Sequence, residues 1–265
     1  MSDTWTAVQE YARRTRGSGY SLALVVPFVA VYEIGLLALR LTYRDFHARN
    51  GADALIRYIL FPLGVQRAGV GGAFLWSLAS ALVLVACYVV WRRREKMRQP
   101  VRGRYVAWLF AESAGWALLL FVASMAFFST VLRTDTARAA ADGADSAYVL
   151  AEVVFNAGAG VYEELVFRVL LVLVLSLLFT RILHFESLQG GVAAAVGAAV
   201  VFSLMHFGSR PGADPWGGDG FVALFVFRLV AGLFFSLLFY FRSFGVAVAA
   251  HALYDNMVTF GSALG

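Results

Sequence analysis

Cysteine is nearly missing from this chain: Cys87 is the only one in 265 residues. An intrachain disulfide and a cysteine-rich metal site are both excluded. Cys87 lies in an apolar run with no neighbouring base to activate a thiol. Charge is scarce too. Only 15% of residues are charged, against 60% hydrophobic, where an average soluble domain has about 25% charged residues. Lysine has almost vanished, Lys96 standing alone among 22 basic residues. That arginine bias, with abundant Ala, Gly and Val, fits a bacterial genome rich in G and C. The net charge of +5 sits largely beside apolar runs, where it sets topology and meets lipid headgroups. It is not a nucleic-acid signature.

Long apolar runs are what the chain has in quantity. Several reach the roughly 20 residues that cross a hydrocarbon core about 30 Å thick. Runs of that length predict helices and not a barrel of alternating strands. Spans are expected at about 20–39, with Pro27 as a kink, then 70–91, 105–132, 148–183, 190–207, 221–241 and a last one ending near Phe260. The run 148–183 is too long for one straight crossing. It is one tilted helix or two pieces meeting near Glu163, with Asn156-Ala157-Gly158-Ala159-Gly160 as the thin stretch. The expected fold is an all-α polytopic membrane protein of seven to eight transmembrane helices around a central polar catalytic cavity. Residues 1–19 read as an amphipathic or irregular lead and not as a cleavable signal. Ala54–Leu63 is too short to span and reads as interfacial or re-entrant.

The cluster from Arg92 to Arg98, continued by Arg102 and Arg104, marks a cytoplasmic loop and places the N-terminus in the cytoplasm. Arg40, Arg44, Arg49, Arg57 and Arg67 argue the other way, more thinly. The expected organisation is residues 1–140 with three helices and the basic loop 92–104, then residues 141–265 as a catalytic helix core.

Charges inside apolar runs are costly and mark function. Glu163, Glu164 and Arg168 lie in the long run. Glu164 and Arg168 are four apart, share a helix face and can pair as structural support. Glu163 points about 100° away, on a face with Gly160, Asn156 and Glu152, and is free to act as a general base. His206 closes the fifth run, with Phe202 and Ser203 one turn before it. His251 and Asp255 share a face of the last run, so the carboxylate can orient the imidazole; Asn256 is one residue further on. A structural ion-pair knot, a helix-end histidine and simple packing are the plainer readings of these residues. Arg228 sits inside the sixth run and either snorkels to the outer interface or meets a substrate carboxylate. Neither His-Glu-x-x-His nor a serine-protease Gly-x-Ser-x-Gly element is present, and no metal or cofactor is expected.

Glu163-Glu164-x-x-x-Arg168, Phe202-x-x-x-His206 and His251-x-x-x-Asp255 occur in that order within the C-terminal half. The set resembles the CPBP family of intramembrane proteases, which holds the type II CAAX prenyl proteases and the Abi or bacteriocin-processing proteins. The family's last motif often ends in Asn, where this chain has Asp255 followed by Asn256. The resemblance implies that Glu163 and His206 activate a water, while His251 with Asp255 or Asn256 serves the oxyanion.

The expected activity is an intramembrane endopeptidase acting on a membrane-anchored or lipid-modified protein or peptide near its C-terminus. The expected setting is the lipid bilayer, a bacterial inner membrane. A non-catalytic scaffold, chaperone or immunity protein is the alternative. An ion-coupled transporter built on Glu33, Glu112, Glu152 and Glu163 ranks last, because no internal repeat is visible.

Overall fold

The computed structural model describes residues 2–43, 48–60, 69–94, 101–131, 146–208, 216–217 and 220–264, and no β-strand occurs among them. Part of the basic cluster (95–100), the acidic stretch 132–145 with the expected division at residue 140, and most of the loop 208–220 lie outside the described residues. The helices are α1 (Ser2–Thr15), α2 (Ser18–Thr42), α3 (Gly51–Leu60), α4 (Gly69–Arg94) and α5 (Gly103–Val131). A continuous helical run follows: α6 (Ser146–Gly158), π-helical turns at Ala159–Glu163 and Leu165–Leu171, α7 (Val172–Leu177) and a third π turn at Leu178–Ile182. Then come α8 (Ser187–Leu204), α9 (Phe221–Phe241) and α10 (Phe244–Leu264).

Among the described residues, five stretches are long and apolar enough to cross a membrane: Ser18–Thr42, Gly103–Thr130, Tyr148–Ile182, Ser187–Leu204 and Phe221–Phe241. The expected count of seven also includes the run 70–91, which falls in α4, and the last run, which is α10. The run 148–182 does not divide in two, and α10 carries His251, Asp255 and Asn256, which lower its hydropathy. At 35 residues the long run measures about 52 Å, well beyond the hydrocarbon core. Outward faces of the spans are apolar, as at Leu118, Val122, Leu173 and Leu177. In water such a surface would aggregate; against lipid tails it costs nothing.

α10 is the centre of the bundle and packs on α2, α5, α6, α9 and the first π turn. Its residues Val246, Ala247, Val248, Ala249, Ala250 and Ala252 have no exposed surface. Lipid gives helices no hydrophobic reason to associate, so close van der Waals approach by small residues does the work. Gly160 shows how close: a Cβ there would lie 2.7 Å from both the Val248 carbonyl oxygen and the Ala252 Cβ.

One end of the bundle is tied by charge. Arg16 Nη2 donates to the Tyr240 carbonyl (2.7 Å). Arg242, in the α9–α10 turn, donates to Glu112 of α5 at 2.5 and 2.6 Å and to Thr15 Oγ1 at 3.3 Å. Tyr11 Oη of α1 donates to the same carboxylate (2.9 Å). The expected irregular or amphipathic lead is thus a helix seated on this end.

Candidate active site

Three consecutive residues of the long run point three ways. Each lies about 100° from the last in an α-helix, and π turns, frequent at functional sites, adjust that spacing locally. Tyr162 faces α2 and α4: its hydroxyl donates to Glu33 Oε1 (2.7 Å), and Ser77 Oγ donates to Glu33 Oε2 (2.6 Å). Glu164 faces α10. Glu163 faces the start of α3 and the end of α8.

Glu164 has no exposed surface and Arg168 is 2% exposed. The expected pair is present, Arg168 Nε standing 3.2 Å from Glu164 Oε2. It is a charge contact without hydrogen-bond alignment. The guanidinium stacks on Phe202 (4.6 Å) and Phe235 (5.6 Å), and Nη2 donates to the Gly232 carbonyl (3.2 Å). The other oxygen of Glu164 accepts from His251 Nδ1 at 2.8 Å. The sequence pointed to Asp255 as the carboxylate that orients His251. Asp255 Oδ2 does lie near Nε2, at 3.4 Å, but the closer partner is Glu164, from another helix. His251 also stacks on Phe235, rings 4.4 Å apart.

Asp255 and Asn256 separate here. The Asp255 side chain is 26% exposed beside His251. Asn256 turns to α6: Nδ2 donates to the Ala252 carbonyl (2.7 Å), and Oδ1 accepts from Asn156 Nδ2 (3.3 Å).

His206 lies in the turn just past α8. Its Nδ1 is 2.8 Å from the Phe202 carbonyl. A carbonyl can only accept, so Nδ1 carries the proton and a neutral ring leaves Nε2 as an acceptor. Nε2 stands 3.9 Å from Glu163 Oε2, with the His206 and Glu163 side chains 31% and 14% exposed. Burial and the Arg228 cation push the His206 imidazole below its ordinary 6.5, with Glu163 opposing them. Arg228 is half-buried, its guanidinium 5.2 Å from the Phe207 ring centre. Its charge therefore bears on His206.

Glu163 Oε1 accepts from Asn50 Nδ2 at 2.8 Å. No sequence signal pointed to Asn50, which comes from the N-terminal half, 113 residues away. The other carboxylates of the transporter reading do not join this site: Glu33 and Glu112 sit in their own clusters, and Glu152 meets Tyr148 one turn away. Among the described residues no group of three His, Cys, Asp or Glu is placed to hold a metal ion.

Residues 145–257 match the family model described as type II CAAX prenyl endopeptidase Rce1-like. This part of the chain, under half of it, is similar to the CAAX protease family. All three motifs of the CPBP resemblance fall within the matched Rce1-like region, and the family is one of membrane proteases. Nothing matches among the curated proteins or among the solved structures.

Proposed function

We propose that the chain is a glutamate-dependent intramembrane endopeptidase, cutting a membrane-anchored or lipid-modified substrate near its C-terminus. The observation that carries this reading is the pair of acceptors, Glu163 Oε2 and His206 Nε2, held 3.9 Å apart. Two acceptors cannot bond to each other. A water about 2.8 Å from both would meet them at an angle of about 90° and donate one O–H to each. Its lone pairs then face outward toward a substrate carbonyl. On attack, Glu163 takes the water proton, the oxygen bonds to the carbonyl carbon, and the carbonyl oxygen becomes an oxyanion. Collapse breaks the C–N bond, and the proton passes to the leaving amine. His251, fixed by Glu164, serves the oxyanion from Nε2, where a preorganised donor is worth about 3–4 kcal/mol. Asp255 supports His251, and Arg228 meets an acidic group of the substrate.

Positive-inside topology puts the end holding α1, Arg102 and Arg104 in the cytoplasm of a bacterial inner membrane. The reading is tested by mapping protein termini in cells carrying wild type, Glu163→Ala or His206→Ala. The expected result is loss of one specific cleavage in both variants, at unchanged protein levels and without effect of chelators on the wild type. An unaltered set of termini in Glu163→Ala cells would favour the scaffold.

A further inference from the structure

We infer that Asn50 is a positioning residue for Glu163, through which the N-terminal half controls the proposed water-activating carboxylate. The inference rests on the protease reading above. A bare glutamate on a helix can rotate about its terminal bond and present either oxygen. Here one oxygen is taken. Asn50 Nδ2 donates to Oε1 at 2.8 Å, which leaves Oε2 toward His206.

Asn50 is itself fixed at two further points. Its Oδ1 accepts from the Ala52 N–H (2.9 Å), closing a side-chain turn at the start of α3. Its own N–H donates to Tyr32 Oη (3.1 Å). Tyr32 Oη in turn donates to Asp53 Oδ2 (2.8 Å), which Arg49 Nη1 also reaches at 2.6 Å. Tyr32 and Asp53 have no exposed surface. The residue is thus held from α2 through its backbone and from α3 through its side chain, and a side-chain N–H is spent on Glu163. It touches Glu163 and no position assigned to the substrate.

Two substitutions separate positioning from simple loop support. Asn50→Asp keeps the acceptor that caps Ala52 and removes the donor to Glu163. Asn50→Ala removes both. The assay uses full-length protein in nanodiscs and a synthetic peptide spanning the junction found by terminus mapping. Both variants are expected to lower kcat about a hundredfold, the scale of a small misplacement of a reacting group, with KM unchanged. A loop role alone would spare Asn50→Asp, and wild-type kcat in that variant would overturn the inference while Glu163→Ala remains dead. If Glu163→Ala alters no terminus, the protease reading falls instead.

Discussion

At the scale of single residues, adjacent carboxylates have different surroundings and should fail differently. Glu163 is partly exposed and bonded on one oxygen only, so Glu163→Gln should keep the fold and lose about 10²–10⁴ in rate, the usual share of general-base catalysis. Thermal melting in detergent and the cleavage assay check both halves. Arg168 is different. Arg168→Met leaves the fully buried Glu164 facing His251 without its second cation. Breaking a buried pair on one side costs about 3–5 kcal/mol, a clear fall in melting temperature. Glu164→Gln with Arg168→Met should recover most of it, because no lone charge remains. A single variant as stable as wild type would show that the pair holds nothing. His206 gives a pH signature. Its neutral ring must accept the water's second O–H, and its proton affinity is lowered by burial and then by Arg228, against Glu163, with His251 a lesser cation and the Phe202 carbonyl accepting from Nδ1. Activity should therefore persist below pH 6.5 and fall as pH drops further. Arg228→Gln removes a cation that opposes protonation, so the acid limb of its rate profile should move to higher pH. An unmoved limb would separate Arg228 from the site.

Among elements, the seam between the long run and α10 carries most of the site, because Glu163, Glu164, His251 and Asp255 all hang from it. Gly160→Ala would press a Cβ to 2.7 Å from a backbone oxygen of α10, an atom that cannot swing aside. Overpacking of this kind costs about 1–3 kcal/mol, and here it also spreads the two helices that must meet. Lower melting temperature together with lower activity is the expected result; unchanged activity would mean that the seam tolerates the shift. This seam also marks what the sequence makes legible. Spans at 221–241 and 148–182 follow from hydropathy, because apolar runs of membrane length admit few other structures. Glu164 with Arg168 follows from a spacing of four within one helix. The His251–Glu164 bond does not, since its partners are 87 residues apart and periodicity describes one helix at a time. Asn50 is hidden for the same reason, and because an asparagine before a short helix reads as an ordinary turn residue. The π turns leave no mark in an apolar run.

For the whole molecule, connectivity decides which membrane face the site serves. α1 is bound to the α9–α10 turn through Arg16 and Arg242. The Arg102 N–H donates to Tyr20 Oη at the start of α2 (3.2 Å), so the start of α5 lies at that same end. α9 leaves this end over 21 residues, about 32 Å of rise. Its far terminus meets the end of α8, Phe221 packing on Phe207 with rings 4.6 Å apart. His206 therefore stands near the face opposite the basic end. If the basic end is cytoplasmic, as the proposed topology has it, water and substrate are expected to reach Glu163 from the outer leaflet. Single cysteines in a Cys87→Ser background test this. Trp216→Cys lies beside Phe207 at an exposed position, and Arg104→Cys is exposed at the basic end. A membrane-impermeant maleimide added to spheroplasts should label Trp216→Cys at once and Arg104→Cys only after permeabilisation. The reverse pattern would put the catalytic mouth in the cytoplasm and require the sparse arginines before α4, not the dense cluster after it, to set the topology.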